Sequence, residues 1–219
     1  EARDLYYTYE DGTVALDHIS FRAERGKMTG ILGANGAGKS TLFLNLNGVL
    51  TPAGGEVRVD GVPVTYDRKG LISVRKQVGI VYQDPDDQLF SADVYRDISF
   101  GGVNLGLPEE EVRRRVDEAM EWTGVTHLKG KPTHALSFGQ KKRVAIAGVL
   151  VMEPSVVILD EPTAGLDPQG VSDIMRLLAE LRGRLGMTII IATHDMDIVP
   201  LYCDYAYLLN GGKIAAEGT

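Results

Sequence analysis

Short apolar runs separated by polar turns dominate the chain and predict a protein built on buried strands. Three runs are nearly continuous, at 28–32, 156–159 and 187–192, as expected of strands covered on both faces of a sheet. The stretch 5–21 predicts two strands joined by a turn, and 78–82 predicts another strand. Shorter strands are expected at 54–61, 205–209 and 213–216, the last two as a hairpin. The front of the chain is therefore β-rich, and we expect its pairing to be antiparallel.

Helical spacing replaces this pattern from Asp93 to about Met152. Pro108 and the three glutamates after it predict a helix start with Pro in the first turn, and apolar residues then recur at helical intervals. A second helix is expected over 139–150, and a third, with an apolar face, ends at Gly186. The predicted fold class is therefore α/β, with a mixed β core, an N-terminal antiparallel β subdomain and a helical insertion.

Composition places limits on this picture. A chain of 219 residues with 44% hydrophobic residues suits one globular domain. The net charge of −7 gives nucleic-acid binding no support, and the arginine run 113–115 is interpreted as a solvated helix face paired with glutamates. The single Cys203 excludes an internal disulfide, and no apolar run approaches the roughly 20 residues that span a bilayer. Because Glu1 is not a start methionine and Gly218-Thr219 is not an obvious end, the full protein is expected to be longer at both ends.

A glycine-rich segment after the first buried strand fits the phosphate-binding pattern G-x-x-x-x-G-K-[ST]. Its glycines allow backbone angles at which several N–H groups turn inward around an anion. The following helix adds its positive end, Lys39 a charge for the phosphates and Ser40 a hydroxyl for Mg²⁺. We therefore predict that a nucleoside triphosphate is bound by Gly33, Asn35, Gly36, Ala37, Gly38, Lys39, Ser40 and Thr41.

Polar side chains end three of the predicted strands, at the edge where α/β folds bind ligands. Asp160 fits a Mg²⁺ ligand acting through water, and Glu161 fits a group that polarises the attacking water. His194 is placed to contact the γ-phosphate and to hold Glu161, and Gln83 to touch both Mg²⁺ and the water. The competing interpretation is that these strands end in solvated acids and a structural histidine.

The segment 136–140 predicts a second phosphate site, because a small hydroxyl and a glycine stand at a helix N-terminus. One nucleotide cannot easily occupy two such sites in one chain. A head-to-tail dimer solves the problem, since Ser137, Gly139 and Gln140 of one subunit then close over the ATP of the other. An ordinary serine N-cap is the alternative.

Taken together, these segments resemble the nucleotide-binding subunit of ABC transporters over nearly the whole chain. The matching segments are Walker A (33–41), the Q-loop glutamine Gln83, the LSGGQ signature (136–140), Walker B (156–161), the D-loop (164–167) and the switch histidine His194. The resemblance implies a P-loop NTPase fold of the ABC type, with a core of 1–90 and 153–219 and a helical subdomain of 91–152. It also implies that Glu161, His194 and Gln83 are catalytic and that Asp167 lies at the nucleotide.

Two positions need comment. Tyr9 stands at the family's usual distance before Walker A for the aromatic residue that stacks on adenine, with Tyr6 and Tyr7 as competitors. Phe138 departs from the pattern, because it replaces the first glycine of the signature pair. Ser137 and Gly139 remain, so the departure affects only the expected packing of that loop.

A finer resemblance, carried by 83–90 and 136–147, is to energy-coupling-factor (ECF) importers and within them to the cobalt importer ATPase. It implies ATP hydrolysis with Mg²⁺, a second ATPase subunit, integral membrane coupling and substrate-binding subunits, and a peripheral location on the cytoplasmic side of a prokaryotic membrane. The family usually carries a further C-terminal segment that helps dimerisation, and we expect this chain to be truncated before it.

Other functions remain open at this point. An ECF ATPase for vitamin uptake and a soluble ABC-type ATPase in cofactor assembly would carry the same motifs. An ATPase of DNA repair or chromosome structure would need long coiled coils before the signature, where only a short helical section fits. In a small-molecule kinase, the signature and D-loop would have no purpose.

Overall fold

The computed structural model describes all 219 residues, which form two sheets, seven α-helices and three short 3₁₀ helices. The strands are β1 (Ala2–Thr8), β2 (Val14–Phe21), β3 (Met28–Leu32), β4 (Gly54–Val59), β5 (Val62–Pro63), β6 (Val78–Val81), β7 (Val156–Asp160), β8 (Thr188–Thr193), β9 (Tyr205–Asn210) and β10 (Lys213–Gly218). The helices are α1 (Lys39–Leu46), α2 (Arg68–Gln77), α3 (Val94–Asn104), α4 (Glu109–Thr123), α5 (Phe138–Leu150), α6 (Pro168–Leu185) and α7 (Val199–Tyr202).

The larger sheet has six strands in the order β10-β9-β3-β8-β7-β6. Five of them, β9, β3, β8, β7 and β6, run parallel, and β10 pairs antiparallel with β9 as the predicted hairpin. All residues of β3 and β8 are buried, which confirms that their continuous apolar runs mark strands covered on both faces. The carboxyl ends of the parallel strands therefore meet at one edge of the sheet.

The smaller sheet, β2-β1-β4-β5, is antiparallel throughout, as the sequence predicts for the front of the chain. Its inner face and α1 share one hydrophobic core with the underside of the six-stranded sheet. This core contains fully buried Leu5, Leu16, Phe43 and Ile158. The glycine-rich segment 33–41, called the P-loop below, is thereby held between the two sheets.

Helices α3, α4 and α5 pack against one another. Their buried side chains belong to a second hydrophobic core, which covers the other face of the large sheet. Val116, Ile98 and Val144 are fully buried in it. The arginines of α4 pair with glutamates of the same helix, as in Arg114–Glu111 at 2.8 Å, so the basic run is the predicted solvated face. None of the seven α-helices combines the length and the apolar character that a membrane-spanning helix requires.

Two local expectations differ from the structure. Pro108 occupies the N-cap position of α4 rather than its first turn, with an extended backbone, and Glu109 begins the helix. Helix α2 has no counterpart among the predicted elements, because Val74 is its one buried residue and most of its other positions are polar. The available signal was Asp67, whose carboxylate accepts a hydrogen bond from the Gly70 N–H at 2.8 Å and caps the helix.

Candidate nucleotide site

The P-loop runs from the end of β3 into α1 and approaches other backbone closely at two glycines. Gly33 has φ 155° and Gly38 has φ 106°. A Cβ at Gly33 would lie 2.6 Å from the Leu209 carbonyl oxygen, and one at Gly38 would lie 2.6 Å from that of Ala15. The segment therefore requires glycine at both positions for steric reasons. The cleft above it, with a volume of ≈ 330 Å³, is lined by 34–41 together with Thr13, Val14, Ala15, Gln83, Asp160 and Glu161.

Lys39 is buried at the floor of this cleft. Its ammonium donates hydrogen bonds to the carbonyl oxygens of Gly33 at 2.7 Å and Ala34 at 3.3 Å. It also lies 3.6 Å from Glu161 Oε1, and both side chains are more than nine-tenths buried. Such a pair is stable only while both charges remain, because removing one leaves the other buried without compensation.

Ser40 and Asp160 form a second contact in the cleft. The Ser40 hydroxyl donates a hydrogen bond of 2.6 Å to Asp160 Oδ2. Burial raises the pKa of Asp160, and the negative charge of nearby Glu161 raises it further. The hydrogen bond from Ser40 opposes this shift. No group of three or more His, Cys, Asp and Glu side chains in the protein is arranged to hold a metal alone.

A hydroxyl, one carboxylate and the nearby Gln83 amide are hard oxygen donors of the kind that Mg²⁺ takes alongside substrate phosphates. The residues present therefore fit this ion bound together with a nucleotide. They do not fit an independent metal centre.

Glu161 meets His194 where β7 and β8 end side by side. His194 Nδ1 lies 2.8 Å from Glu161 Oε2, and the histidine side chain is 67% exposed whereas that of Glu161 is 6% exposed. Glu161 has φ 47°, a left-handed conformation that is strained for a residue with a side chain. Its Oε1 is buried and accepts no hydrogen bond, so this oxygen is free to accept one from a bound water or hydroxyl.

Tyr9 reaches the P-loop from the smaller sheet. Its hydroxyl lies 2.8 Å from Thr41 Oγ1, and the residue is 40% exposed. Tyr6 instead stacks near His18, with ring centroids 5.4 Å apart, and Tyr7 packs against the hydrophobic core. Among the three tyrosines, Tyr9 is thus the one that contacts the P-loop.

The signature residues lie at the start of α5. Ser137 caps this helix by accepting the Gln140 N–H at 3.3 Å, and the Gln140 side chain accepts the Ser137 N–H at 3.0 Å. Asp167 likewise caps α6, through the Gly170 N–H at 2.7 Å. None of Ser137, Gly139, Gln140 and Asp167 lines the P-loop cleft of its own chain. The structure therefore brings together the Walker residues, Gln83, Glu161 and His194, and leaves the signature facing outward.

Comparison with known families decides the class of this arrangement. A family model described as ABC transporter matches residues 16–164, most of the chain. The chain belongs to the ABC transporter ATP-binding family. The family assignment makes this ABC protein an ATPase, and the fold class predicted from the sequence is confirmed.

Individual relatives define the branch of the family. The energy-coupling factor transporter ATP-binding protein EcfA2 of Clostridium perfringens is 61% identical over 218 residues, which cover 100% of this chain and 76% of the relative. The structure of CbiO1 from Clostridium perfringens, part of the ABC transporter complex CbiONQ, matches with TM-score 0.92 and 61% identity over 99% of this chain and 86% of the other. At this identity the ABC protein is of the energy-coupling factor type.

A third comparison concerns the reaction cycle. A dimeric ATP-binding cassette in a post-hydrolysis state, bound to ADP and Pi, matches with TM-score 0.88 and 26% identity over 100% of this chain and 97% of the other. In that protein the cassette is a dimer and the products of ATP hydrolysis are bound. The same fold therefore accommodates ATP cleavage.

Sequence reasoning about this ABC ATPase missed Lys142. The residue is 3% exposed, and its ammonium donates hydrogen bonds to the backbone carbonyls of Gln83 at 3.0 Å and Glu161 at 3.3 Å. Burial lowers the pKa of Lys142 to about 8, opposed by nearby Asp84, Glu161 and Asp160. The helical spacing of the sequence could have identified it. Lys142 lies three and seven residues before buried Ala145 and Val149, which places it on the inner face of α5.

Proposed function

We propose that this ATPase powers the import of cobalt or nickel ions through an ECF-type membrane transporter. The observation that carries the proposal is the buried Lys39–Glu161 pair, with the exposed His194 on Glu161 and the Ser40–Asp160 contact beside it, in a chain 61% identical to an ECF ATPase and to CbiO1. The geometry supports hydrolysis, and the two relatives support an ECF-type transporter. The substrate class rests on the resemblance of 83–90 and 136–147 to the cobalt importer ATPase.

In this proposal ATP binds with its adenine on Tyr9 and its phosphates over the P-loop 33–41. The exposed Tyr9 ring, fixed by its hydroxyl contact with Thr41, offers an apolar face at the mouth of the cleft. Ser40, Gln83 and, through water, Asp160 would hold Mg²⁺. Mg²⁺ supplies positive charge against the β- and γ-phosphate oxygens when it is bound.

Glu161 is the proposed general base. Its Oε1 accepts no hydrogen bond and lies 3.6 Å from the Lys39 ammonium, so it can still accept one from a water, while Oε2 lies against His194. A carboxylate so placed orients the water and accepts its proton as the water attacks the γ-phosphate in line. The exposed part of His194 is available to contact the γ-phosphate from the other side.

A second ATPase subunit, arranged head to tail, completes the site in this proposal. Ser137, Gly139, Gln140 and Asp167 lie outside the P-loop cleft of their own chain and are available to the cleft of another. The helix N-terminus capped by Ser137 presents N–H groups suited to a γ-phosphate. The dimeric cassette with bound ADP and Pi supports this arrangement.

An apolar groove next to the site suits a helix of the membrane coupling subunit. It has a volume of ≈ 530 Å³ and includes Ile72, Phe90 and Phe100, which are 57%, 65% and 46% exposed. Phe90 and Phe100 form an edge-to-face pair with centroids 4.7 Å apart. An exposed apolar patch of this kind marks an interaction site. Tyr82 lines both this groove and the cleft around Gln83. In this proposal, a change at the nucleotide site can therefore shift the groove, and the helix bound in it, through this one residue.

Location and domain organisation follow from the same proposal. The protein would sit peripherally on the cytoplasmic side of the membrane, held there by its integral membrane partners. Residues 1–90 and 153–219 would form the catalytic core with the β subdomain. Residues 91–152 would form the helical subdomain that carries the signature.

The test is the substitution Glu161→Gln in cells that express the protein with its membrane partners. We expect ATP binding to be kept and both ATP hydrolysis and uptake of labelled Co²⁺ to fall by about 10²-fold or more, because the general base is lost. Glu153→Gln is the matched control, since Glu153 has a similar left-handed backbone, φ 51°, but is exposed and away from the cleft.

Each component of the proposal can fail separately. Wild-type hydrolysis by the Glu161→Gln protein would disprove the role of Glu161. Suppose that Glu161→Gln loses hydrolysis as expected, but that cells with the wild-type protein take up a labelled vitamin and neither Co²⁺ nor Ni²⁺. The protein would then be the ATPase of a vitamin importer. Purification without any integral membrane protein would instead favour an ATPase in cofactor assembly.

A further inference from the structure

Lys142 is a buried cation without a carboxylate partner. Its side chain forms no ion pair, and its ammonium hydrogen-bonds to two backbone carbonyls, those of Gln83 and Glu161. The ring of Phe138, one helical turn earlier, lies with its centroid 5.2 Å from the ammonium nitrogen. Burying a charge this way is costly for folding, and the two hydrogen bonds offset only part of that cost.

The two carbonyls that Lys142 holds belong to neighbouring strand ends. β6 and β7 pair in parallel with Val81 opposite Leu159, and Gln83 and Glu161 follow these two residues at the same edge. The ammonium has three donors in a fixed tetrahedral arrangement. Its two hydrogen bonds therefore set the spacing between both strand ends and the first turns of α5.

Phe138 extends this link to the segment after Glu161. A Cβ on Gly165 would lie 2.9 Å from the Phe138 ring, so the ring rests on the Gly165 backbone. Phe138, Gly165, Gln83 and Asp160 line one cleft of ≈ 500 Å³. The residue that departs from the signature pattern thus covers Lys142 and connects α5 to the segment leading into α6.

We propose that Lys142 is a positioning residue for ATP hydrolysis, which ties the start of α5 to the backbone of Gln83 and Glu161. Movement of α5 is then transmitted directly to the general base and to the Gln83 segment. The inference rests on the proposed role of Glu161. It assigns Lys142 no contact with the substrate.

The test compares Lys142→Met with the wild type in the full-length protein, in the assembly in which it is purified. The unbranched Met side chain is one atom shorter than that of Lys and can pack in its place, but it donates no hydrogen bond. We expect kcat to fall about tenfold or more, since small misplacements of a catalytic group are costly. KM should stay within about twofold because the P-loop contacts are intact. The melting temperature should change little, because the removed desolvation cost of the charge offsets the two lost hydrogen bonds, whereas the loss of a purely structural lysine would lower it.

Two further variants complete the design. Lys142→Gln keeps amide donors but cannot reach both carbonyls, so its kcat should lie between those of Lys142→Met and the wild type. Lys129→Met is the matched control: the Lys129 ammonium lies 4.8 Å from the Tyr95 ring centroid and 2.7 Å from Asp117, away from the cleft. We expect Lys129→Met to leave kcat unchanged.

The outcomes separate this inference from the proposed function. Wild-type kcat in Lys142→Met, or a raised KM with unchanged kcat, overturns the positioning role while Glu161→Gln can still support the general base. Wild-type turnover in Glu161→Gln removes the base itself. If Lys142→Met does not fold, Lys142→Gln decides, and a kcat equal to that of the wild type then overturns the inference.

Discussion

Lys39 and Glu161 are the two members of the most deeply buried ion pair in the protein, with side chains 7% and 6% exposed. The Lys39 ammonium also donates to two loop carbonyls, whereas Glu161 Oε1 has no hydrogen-bond donor. The electrostatic environment of the proposed base therefore depends on the P-loop lysine. At the residue scale, the Lys39 ammonium therefore serves both phosphate binding and, through its ion pair with Glu161, the proposed activation of water.

The sequence predicted the identities of these residues but not their geometry. Fixed spacing with a glycine-rich loop identifies Lys39, and the end of an apolar strand identifies Glu161, since both patterns are local. Glu161 combines its left-handed backbone with an N–H hydrogen bond to the Ala192 carbonyl at 3.1 Å, a long-range contact that local patterns do not show. Lys142 was missed for the same reason, because its partners are 59 and 19 residues away.

Cys203 gives a pH-dependent prediction at this scale. Burial, with Asp204 nearby, raises the pKa of its thiol from 9.0 to about 11, and Arg182 opposes the shift. At pH 8 the folded protein should react with an aromatic disulfide reagent about a hundredfold more slowly than the unfolded chain, because the thiolate is the reactive form. The rate should rise about tenfold per pH unit up to about pH 11.

The measurement is the absorbance of the released reagent, with the urea-unfolded protein at the same pH as control. The sign for stability follows: the neutral thiol favours the folded state below pH 9, and this contribution is lost between pH 9 and about 11. Equal rates for folded and unfolded protein at pH 8 would contradict the raised pKa.

At the element scale, the close approach of α5 to β6 depends on Gly79. A Cβ at this position would overlap Val149 of α5, whose branched side chain is buried and stiff. Gly79→Ala should therefore lower the free energy of unfolding by about 1–3 kcal/mol through overpacking. Denaturant unfolding of the purified protein measures the change.

Gly183 provides the opposite case in α6. It is a helical glycine with nothing within 4 Å of an added Cβ. Gly183→Ala should raise the free energy of unfolding by about 0.5–1 kcal/mol, since alanine loses less backbone entropy in a helix. Equal effects of the two substitutions would show that the α5–β6 contact is not close packed.

Helices and strands could be predicted from the sequence where the apolar residues followed one clear pattern, either a continuous run or a helical repeat. The runs of β7 and β8 were identified because both faces are buried, and α6 because its apolar stripe repeats at helical spacing. Helix α2 was missed, since it buries little against the rest of the protein and its capping Asp67 lies in a polar stretch. Local periodicity thus predicts elements that contribute to the core and misses those on the surface.

At the scale of the whole molecule, the proposed site is divided between two subunits. Ser137 is exposed, caps α5 and does not line the P-loop cleft of its own chain. A head-to-tail dimer places one P-loop and one signature at each of two equivalent sites. This arrangement has a consequence for mixed dimers that a site contained in one chain does not have.

Lys39→Ala removes the phosphate-binding charge, and Ser137→Arg fills the signature loop with a long side chain. Each variant alone should be inactive, because every site in its homodimer has one defective half. The heterodimer of the two, purified through a different tag on each subunit, has one site with both halves intact. Its ATP hydrolysis should therefore recover to as much as about half of the wild-type rate.

The control pairs the double variant Lys39→Ala/Ser137→Arg with the wild type. That heterodimer carries the same two substitutions, but each of its sites has one defective half, so it should be inactive. If each site lay within a single chain, the results would be reversed. The control heterodimer would be active through its wild-type subunit, and the heterodimer of Lys39→Ala with Ser137→Arg would be inactive. Steady-state phosphate release by the two purified heterodimers thus decides whether Lys39 acts with Ser137 of its own chain or of the partner.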